Sequence, residues 1–309
     1  MALGFILTIH IAAFSHKYFC SMRKLFLPFF LILLFAAAAA AQKTNPGSNI
    51  YDLKEAIAQK LVSVKVEGKG GHHGETLKLV CKNLRGKYLR LRIPQGLLME
   101  PADTAQQTLV VAKELLLAVT AKTPAEGLLS TFCTQAGEMS PKAAEVFSIG
   151  AMAPAQLCNL LKFMTEKGKI DNPNAQTAVW CLLSGRSLGS IDDPELTRFV
   201  AEQLGKKIPD YKVKHQTVEY LPGDRADLGK ALVVETNFTY YLEKDERVLM
   251  ILLDSSGKQI KQVSKEEIMK AGEHRTGMRL EVYNLNSDRY TLRMQTKAGR
   301  VIKDMEVEF

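Results

Sequence analysis

Residues Thr76-Leu-Lys-Leu-Val-Cys-Lys-Asn-Leu-Arg-Gly-Lys-Tyr-Leu-Arg-Leu-Arg-Ile93 decide the class of the first folded segment. Leu77, Leu79 and Cys81 stand at every second position, and so do Leu89, Leu91 and Ile93, with Arg90 and Arg92 between them. A period of two is the pattern of a strand with one buried and one wet face. Asn83 to Gly86 supplies the turn chemistry between the two runs. Working outward, Leu61 to Glu67, Thr108 to Lys113 and Glu114 to Thr120 alternate or run apolar in the same way, and Pro94 to Pro101 reads as a longer crossing. Short strands at this spacing predict a β-sandwich over residues 42–123. A short helix is predicted at Ile50 to Lys60, capped by Ser48 or Asn49, with Leu53, Ile57 and Leu61 at helical spacing.

Upstream, Arg23 and Lys24 precede an apolar run from Leu25 to Phe35 and a small-residue stretch from Ala36 to Ala41, the three parts of a secretory leader. Met22 is the expected start, residues 1–41 the expected leader, and the periplasm or the extracellular space the expected location. Contact with a membrane is expected only through the leader before cleavage, since Leu25 to Phe35 is shorter than the roughly 18 to 20 apolar residues of a spanning helix. Gln42 follows the small-residue site, so the thiol that lipidation requires is absent there. Removal of the leader takes away Lys17, Arg23 and Lys24 and no acid, which lowers the formal net charge from +8 to +5. Basic and acidic residues interleave through the rest of the chain, a pattern that argues against nucleic acid as a partner.

From Pro124 onward the period becomes helical. Leu157, Leu160, Leu161 and Met164 share one face of a predicted helix from Ala155 to Lys167, stopped by Gly168. Asn172 and Pro173 open a second, Pro173 to Leu183, before Gly185; Asp192 and Asp193 precede a third, Pro194 to Leu204, before Gly205. These helices predict a small α bundle over 124–206. Strands return at Val213 to Tyr220, Ala231 to Tyr241, Arg247 to Asp254, Gln259 to Val263, Gly277 to Tyr283, Tyr290 to Thr296 and Val301 to Phe309. Phe238 to Leu242, Val248 to Asp254 with Gly257, Ala271 with Gly272 and His274, Leu285, and Asp288 to Met294 carry a resemblance to the Ig-like module of the flagellar hook-cap protein and of bacterial C-terminal secretion modules. The resemblance covers about Lys230 to Phe309 and implies an Ig-like β-sandwich over 207–309. The fold class expected overall is mainly β with a helical subdomain.

No catalytic, cofactor-binding or metal-ligating set is assigned. His72 and His73 adjoin glycines but lack a third ligand at i+3 or i+4, and read as a surface turn. Of the cysteines after the leader, Cys81 reads as a small core hydrophobe, and Cys158 and Cys181, on predicted neighbouring helices, form a candidate disulfide in an oxidising compartment. Trp180 reads as core. Phe132-Cys133-Thr134 and Ala175-Gln176-Thr177-Ala178-Val179-Trp180 resemble the aromatic-Cys and Gln-apolar motifs of bacterial thioester adhesin domains. That resemblance implies that the Cys133 and Gln176 side chains condense to an electrophile that captures amines. Such chemistry needs a thiol and a carboxamide together in a site closed to water.

Three functions follow as expectations. The first is a non-enzymatic envelope or extracellular protein that binds a protein or glycan partner. The second is a covalent adhesin using Cys133 and Gln176. The third is a secreted hydrolase whose residues are dispersed along the chain.

Overall fold

The structure, a computed structural model, describes residues 49–286 and 289–309. The leader expected over residues 1–41 lies outside the described residues. The described chain is mainly β, with four α-helices.

The first part contains β1 (Ile50–Asp52), α1 (Leu53–Ala58), β2 (Val62–Gly68), β3 (His73–Asn83), β4 (Leu89–Ile93), β5 (Leu97–Pro101), β6 (Leu109–Val111), β7 (Leu115–Val119), β8 (Ala125–Cys133) and β9 (Val146–Met152). Six of these strands close into a barrel in the order β2-β3-β8-β6-β5-β9, while β1, β4 and β7 form a separate three-stranded sheet. The N-terminal β-sandwich expected from the alternation is therefore replaced by a barrel with a small sheet packed against it. Closure removes the unpaired edges that two short open sheets would leave. The alternating residues behave as the sequence predicts: Leu77, Leu79, Cys81, Leu91 and Ile93 are fully buried, and Arg92 reaches Asp52 of β1 with a two-point ion pair of 2.8 and 2.9 Å.

Three expectations are corrected here. Strands β8 and β9 occupy 125–152, where helices were expected. The crossing at Pro94 to Pro101 contains strand β5. The predicted helix at Ile50 to Lys60 shrinks to α1, because Ile50 to Asp52 pairs in parallel with Arg90 to Arg92 of β4; Asp52, not Ser48 or Asn49, stands at its N-cap.

The helices follow as α2 (Ala155–Glu166), α3 (Ala175–Ser184) and α4 (Pro194–Leu204), with a 3-10 turn at Leu188–Ser190. Helix α3 starts at Ala175 behind Asn174, which makes no side-chain cap bond, and not at Pro173 behind Asn172 as expected; the other signals act locally. Asp193 Oδ1 accepts the backbone N–H groups of Glu195 and Leu196 at 3.0 and 3.1 Å, and Gly185 and Gly205 close α3 and α4 in the left-handed region, with φ of 67° and 62°. Leu157, Leu160, Leu161 and Met164 pack with Val179, Leu196 and Val200, and the same cluster takes in Val110, Ala112 and Phe132 from the barrel wall.

The last part contains β10 (Tyr211–His215), β11 (Ala231–Leu242), β12 (Glu246–Asp254), β13 (Gln259–Gln262), β14 (Glu267–Met269), β15 (Gly272–Glu281), β16 (Arg289–Thr296) and β17 (Val301–Glu308). One sheet runs β10-β11-β15, the other β13-β12-β16-β17 with β14 beside β12. Phe238 and Leu280 of the first sheet and Leu252, Leu292 and Val307 of the second share one buried cluster. Asp254 Oδ1 accepts the N–H groups of Ser256 and Lys258, which closes the β12–β13 hairpin at Gly257. The strand expected at Val213 to Tyr220 ends at His215. Residues 216–230 leave the sheet and cross the barrel instead.

Candidate functional site

The described residues bring Cys133 and Gln176 together at the seam between barrel and helices. Strand β3 pairs with β8 as far as His73 opposite Phe132. Cys133 is the next residue of β8, and its N–H and C=O face the side that β3 has left. The Gln176 side chain takes that position: its Oε1 accepts the Cys133 N–H at 3.0 Å and its Nε2 donates to the Cys133 carbonyl at 2.8 Å. A carboxamide has the donor and acceptor spacing of a peptide group, so it continues the ladder for one rung. Gln176 stands in the first turn of α3, where the helix field favours negative charge.

The seam is closed to water. Cys133 is fully buried and Gln176 is 5% exposed. Burial pushes the Cys133 thiol well above the ordinary cysteine value, so it holds its proton. Phe132 and Cys133 point to opposite sides of β8: Phe132 joins the helical cluster and Cys133 the barrel cluster. Trp180, one helical turn beyond Gln176, is the one residue of α3 in the barrel cluster. It is 3% exposed, and its indole N–H has no acceptor among the described residues.

Residues 216–230 form a strap that ties both sides of this seam. Ala226 is fully buried in the barrel cluster, with Tyr220 and Leu228 packed against it. The strap bonds the loop that follows Cys133: Gly137 N–H donates to Ala226 O at 2.9 Å, Ser140 N–H to Asp224 O at 2.8 Å, and Ala226 N–H to Glu138 O at 3.2 Å. It also holds the chain just after α3, through an ion pair between Asp227 and Arg186. Ser184 Oγ, at the end of α3, accepts the Ala136 N–H at 3.1 Å. No signal of composition or period marks the strap in the sequence, because most of these contacts are made by backbone.

Other expected groups fall elsewhere. Cys158 and Cys181 are not joined. The Cys158 thiol donates to Ala153 O at 3.3 Å and the Cys181 thiol to Ser187 O at 3.2 Å, so their side chains leave α2 and α3 toward different backbone partners. Cys81 is fully buried in the barrel, its thiol pushed up to about 12 by burial. His72 lies one residue before β3, so strand alternation does not separate it from His73. Their rings stack at 4.6 Å, and His72 meets Tyr220 of the strap edge-on at 5.6 Å. Among the described residues no group of three His, Cys, Asp or Glu could hold a metal ion.

A cleft of about 520 Å³ lies where the end of α3, the strap and the last strands meet, lined by Arg186, Ser190, His215, Asp227 and Glu308 among others. His215 Nδ1 donates to Gly229 O at 2.7 Å, which leaves Nε2 of the neutral ring to accept from Ser190 Oγ at 2.8 Å. The N–H groups of Gly189, Ser190 and Ile191 are all spent within their own turn, on Ser187 Oγ, Ser187 O and Leu188 O. The contact thus has a hydroxyl and a base but no backbone donor pair beside the hydroxyl to receive an oxyanion.

Comparison of the chain with protein-family models, with curated proteins and with solved structures found no match to any of the three.

Proposed function

We propose that this chain is an exported protein that captures an amine-bearing partner covalently, through an internal thioester between Cys133 and Gln176. The observation that carries this reading is the pairing of the Gln176 carboxamide with the backbone N–H and C=O of Cys133 in a site closed to water, which brings the carboxamide to the residue that bears the thiol.

The chemistry balances within the site. The Cys133 Sγ–Cδ(Gln176) bond forms, the Cδ–Nε2 bond breaks, and the thiol proton leaves on nitrogen as ammonia. An incoming primary amine then forms a new amide at Cδ, and one of its protons returns to sulfur. Two features of the seam favour the first step. The Cys133 N–H already polarises the Cδ carbonyl. Holding thiol and carboxamide on two packed elements replaces an encounter in solution by one within the fold. Exclusion of water protects the product from hydrolysis.

The mature chain should be lighter than its sequence by one ammonia, and the Cys133→Ala variant should lack that deficit. A native chain at full mass contradicts the reading.

The two C-terminal sheets and their shared core support an Ig-like module that carries the reactive part. The leader at 22–41 supports a periplasmic or extracellular location; among the described residues no helix is long and apolar enough to cross a membrane. A second reading, a binding protein without covalent chemistry, is favoured by the same two hydrogen bonds, since they also dock α3 on the barrel. The mass measurement separates the two.

A further inference from the structure

The stretch whose alternation reveals the first strands also breaks the interleaving of charge: from Thr76 to Met99 the chain holds six Lys and Arg and no Asp or Glu. Two of the six are paired, Lys78 with Glu126 and Arg92 with Asp52. Strand pairing gathers others at one end of the barrel. Val62, which opens β2, stands opposite Asn83, which closes β3, and the Leu84 N–H donates to Leu61 O at 2.9 Å. Cys81 of β3 stands opposite Ala125 of β8, and Leu89 of β4 opposite Val119 of β7. The chain entering β2, the β3–β4 turn and the β7–β8 loop therefore lie side by side. They carry Lys60, Lys82, Arg85, Lys87 and Lys122, all exposed and without an acidic partner among the described residues. The acids nearest along the chain are engaged, Glu55 with the Gln59 amide and Glu126 with Lys78.

Two large apolar side chains stand among these cations: Leu84 is 50% exposed and Tyr88 52%. The turn that presents them is fixed by its own bonds. Asn83 Oδ1 accepts the N–H groups of Arg85 and Gly86 at 2.9 and 3.0 Å, Asn83 Nδ2 donates to Lys87 O at 2.7 Å, and Gly86 takes a φ of 71°. Cations alone would suffice for a soluble polyanion. A leucine held in water beside them gains only where an apolar phase lies behind the negative charge, and that layering is found in a bilayer with anionic headgroups. Tyr88 suits the same boundary, with an apolar ring and a polar tip. We infer that this end of the barrel docks on a membrane surface rich in anionic phospholipid, with the five cations at the phosphate level and Leu84 and Tyr88 reaching beneath it. This contact is separate from the leader and does not depend on the thioester reading.

The test is co-sedimentation of the leader-free chain with vesicles of phosphatidylcholine alone or with about one-third phosphatidylglycerol, at low and high salt. The inference expects binding to the anionic vesicles only, weakened by salt. Each Lys or Arg near such a surface is worth about fivefold in partition, so the combined variant Lys82→Gln, Arg85→Gln, Lys87→Gln should lose about a hundredfold. A charge-matched control at exposed lysines elsewhere, Lys167→Gln, Lys258→Gln, Lys265→Gln, should lose less than fivefold. Leu84→Asn with Tyr88→Asn leaves the charge unchanged and should weaken vesicle binding by about tenfold, with retention on heparin-agarose unaltered. All substituted positions are exposed, and matching circular dichroism confirms that each variant folds. No binding to anionic vesicles, or equal losses in the two triple variants, overturns the inference. Vesicle binding that ignores the Leu84 and Tyr88 changes also overturns it, and assigns the patch to a soluble polyanion instead. The ammonia deficit of the native chain is untouched by any of these results, so the two readings fail separately.

Discussion

Gln176 completes a β-ladder with its side chain: the carboxamide accepts the N–H of Cys133 and donates to its carbonyl, one residue beyond the last backbone pair that β3 offers to β8. A helix is thereby registered on a strand by two hydrogen bonds, and the cysteine and glutamine of two short motifs 43 residues apart are held in contact.

In the Cys133→Ala background, where the amide must persist, Gln176→Ala leaves a buried backbone donor and acceptor unpaired. At roughly 1–3 kcal/mol for each, the expected loss is about 2–6 kcal/mol in urea unfolding. Gln176→Glu should lose more, because its carboxylate offers no donor to the Cys133 carbonyl and brings a charge into a dry seam. A loss below about 0.5 kcal/mol in both variants, the size of an ordinary surface change, would show that the two bonds do not dock α3.

The strap should control access to the seam, since it bonds both the loop after Cys133 and the chain after α3. Its base is tight: a Cβ on Gly229 would lie 1.9 Å from the carbonyl oxygen of Gln216. Gly229→Ala should therefore force the base open and speed both proteolysis within 216–230 and methylamine addition. Cleavage and addition at the native rates would mean that amines enter by another side.

How much of this was legible follows from which faces of each element are covered. Helix α4 could be bounded from sequence because Asp193, Pro194 and Gly205 each act locally, through a cap, a preset φ and a left-handed residue. Strands β3 and β4 could be read because one face is buried and the other is wet. Strand β8 could not. Its end is covered on both sides, with Phe132 in the helical cluster and Cys133 in the barrel, so the period of two disappears into a continuous buried run. Gly127 also interrupts β8; a Cβ there would lie 2.7 Å from a Leu115 methyl, so the packing of the small sheet sets that residue. The Cys133 and Gln176 motifs were visible, but their meeting depends on β8 ending beneath α3, which no local signal encodes. A barrel and a sandwich read alike in sequence, because closure is a property of strand order and alternation is the same in both.

Acid should loosen the joint between the strap and β10. Burial holds the His215 imidazole below its ordinary value of 6.5, against the pull of the Gly229 carbonyl and the charge of Asp227. The unfolded chain therefore binds a proton that the folded one resists. The contribution is fully present above pH 6.5 and declines as pH falls from 6.5 through the lower folded value. The urea midpoint should drop over that interval, and His215→Gln, which can still donate to Gly229, should flatten the drop. Equal slopes for both chains would remove His215 from the account.

The central claim is a bond between two named atoms, so it is tested most directly by locating where an amine goes. Natively folded chain is incubated with methylamine, digested, and residue 176 read by tandem mass spectrometry, with Cys133→Ala treated in parallel. The account predicts a methylamide on the Gln176 side chain and a newly released thiol at Cys133, with neither in the variant. An unmodified carboxamide at Gln176 in the native chain would contradict it.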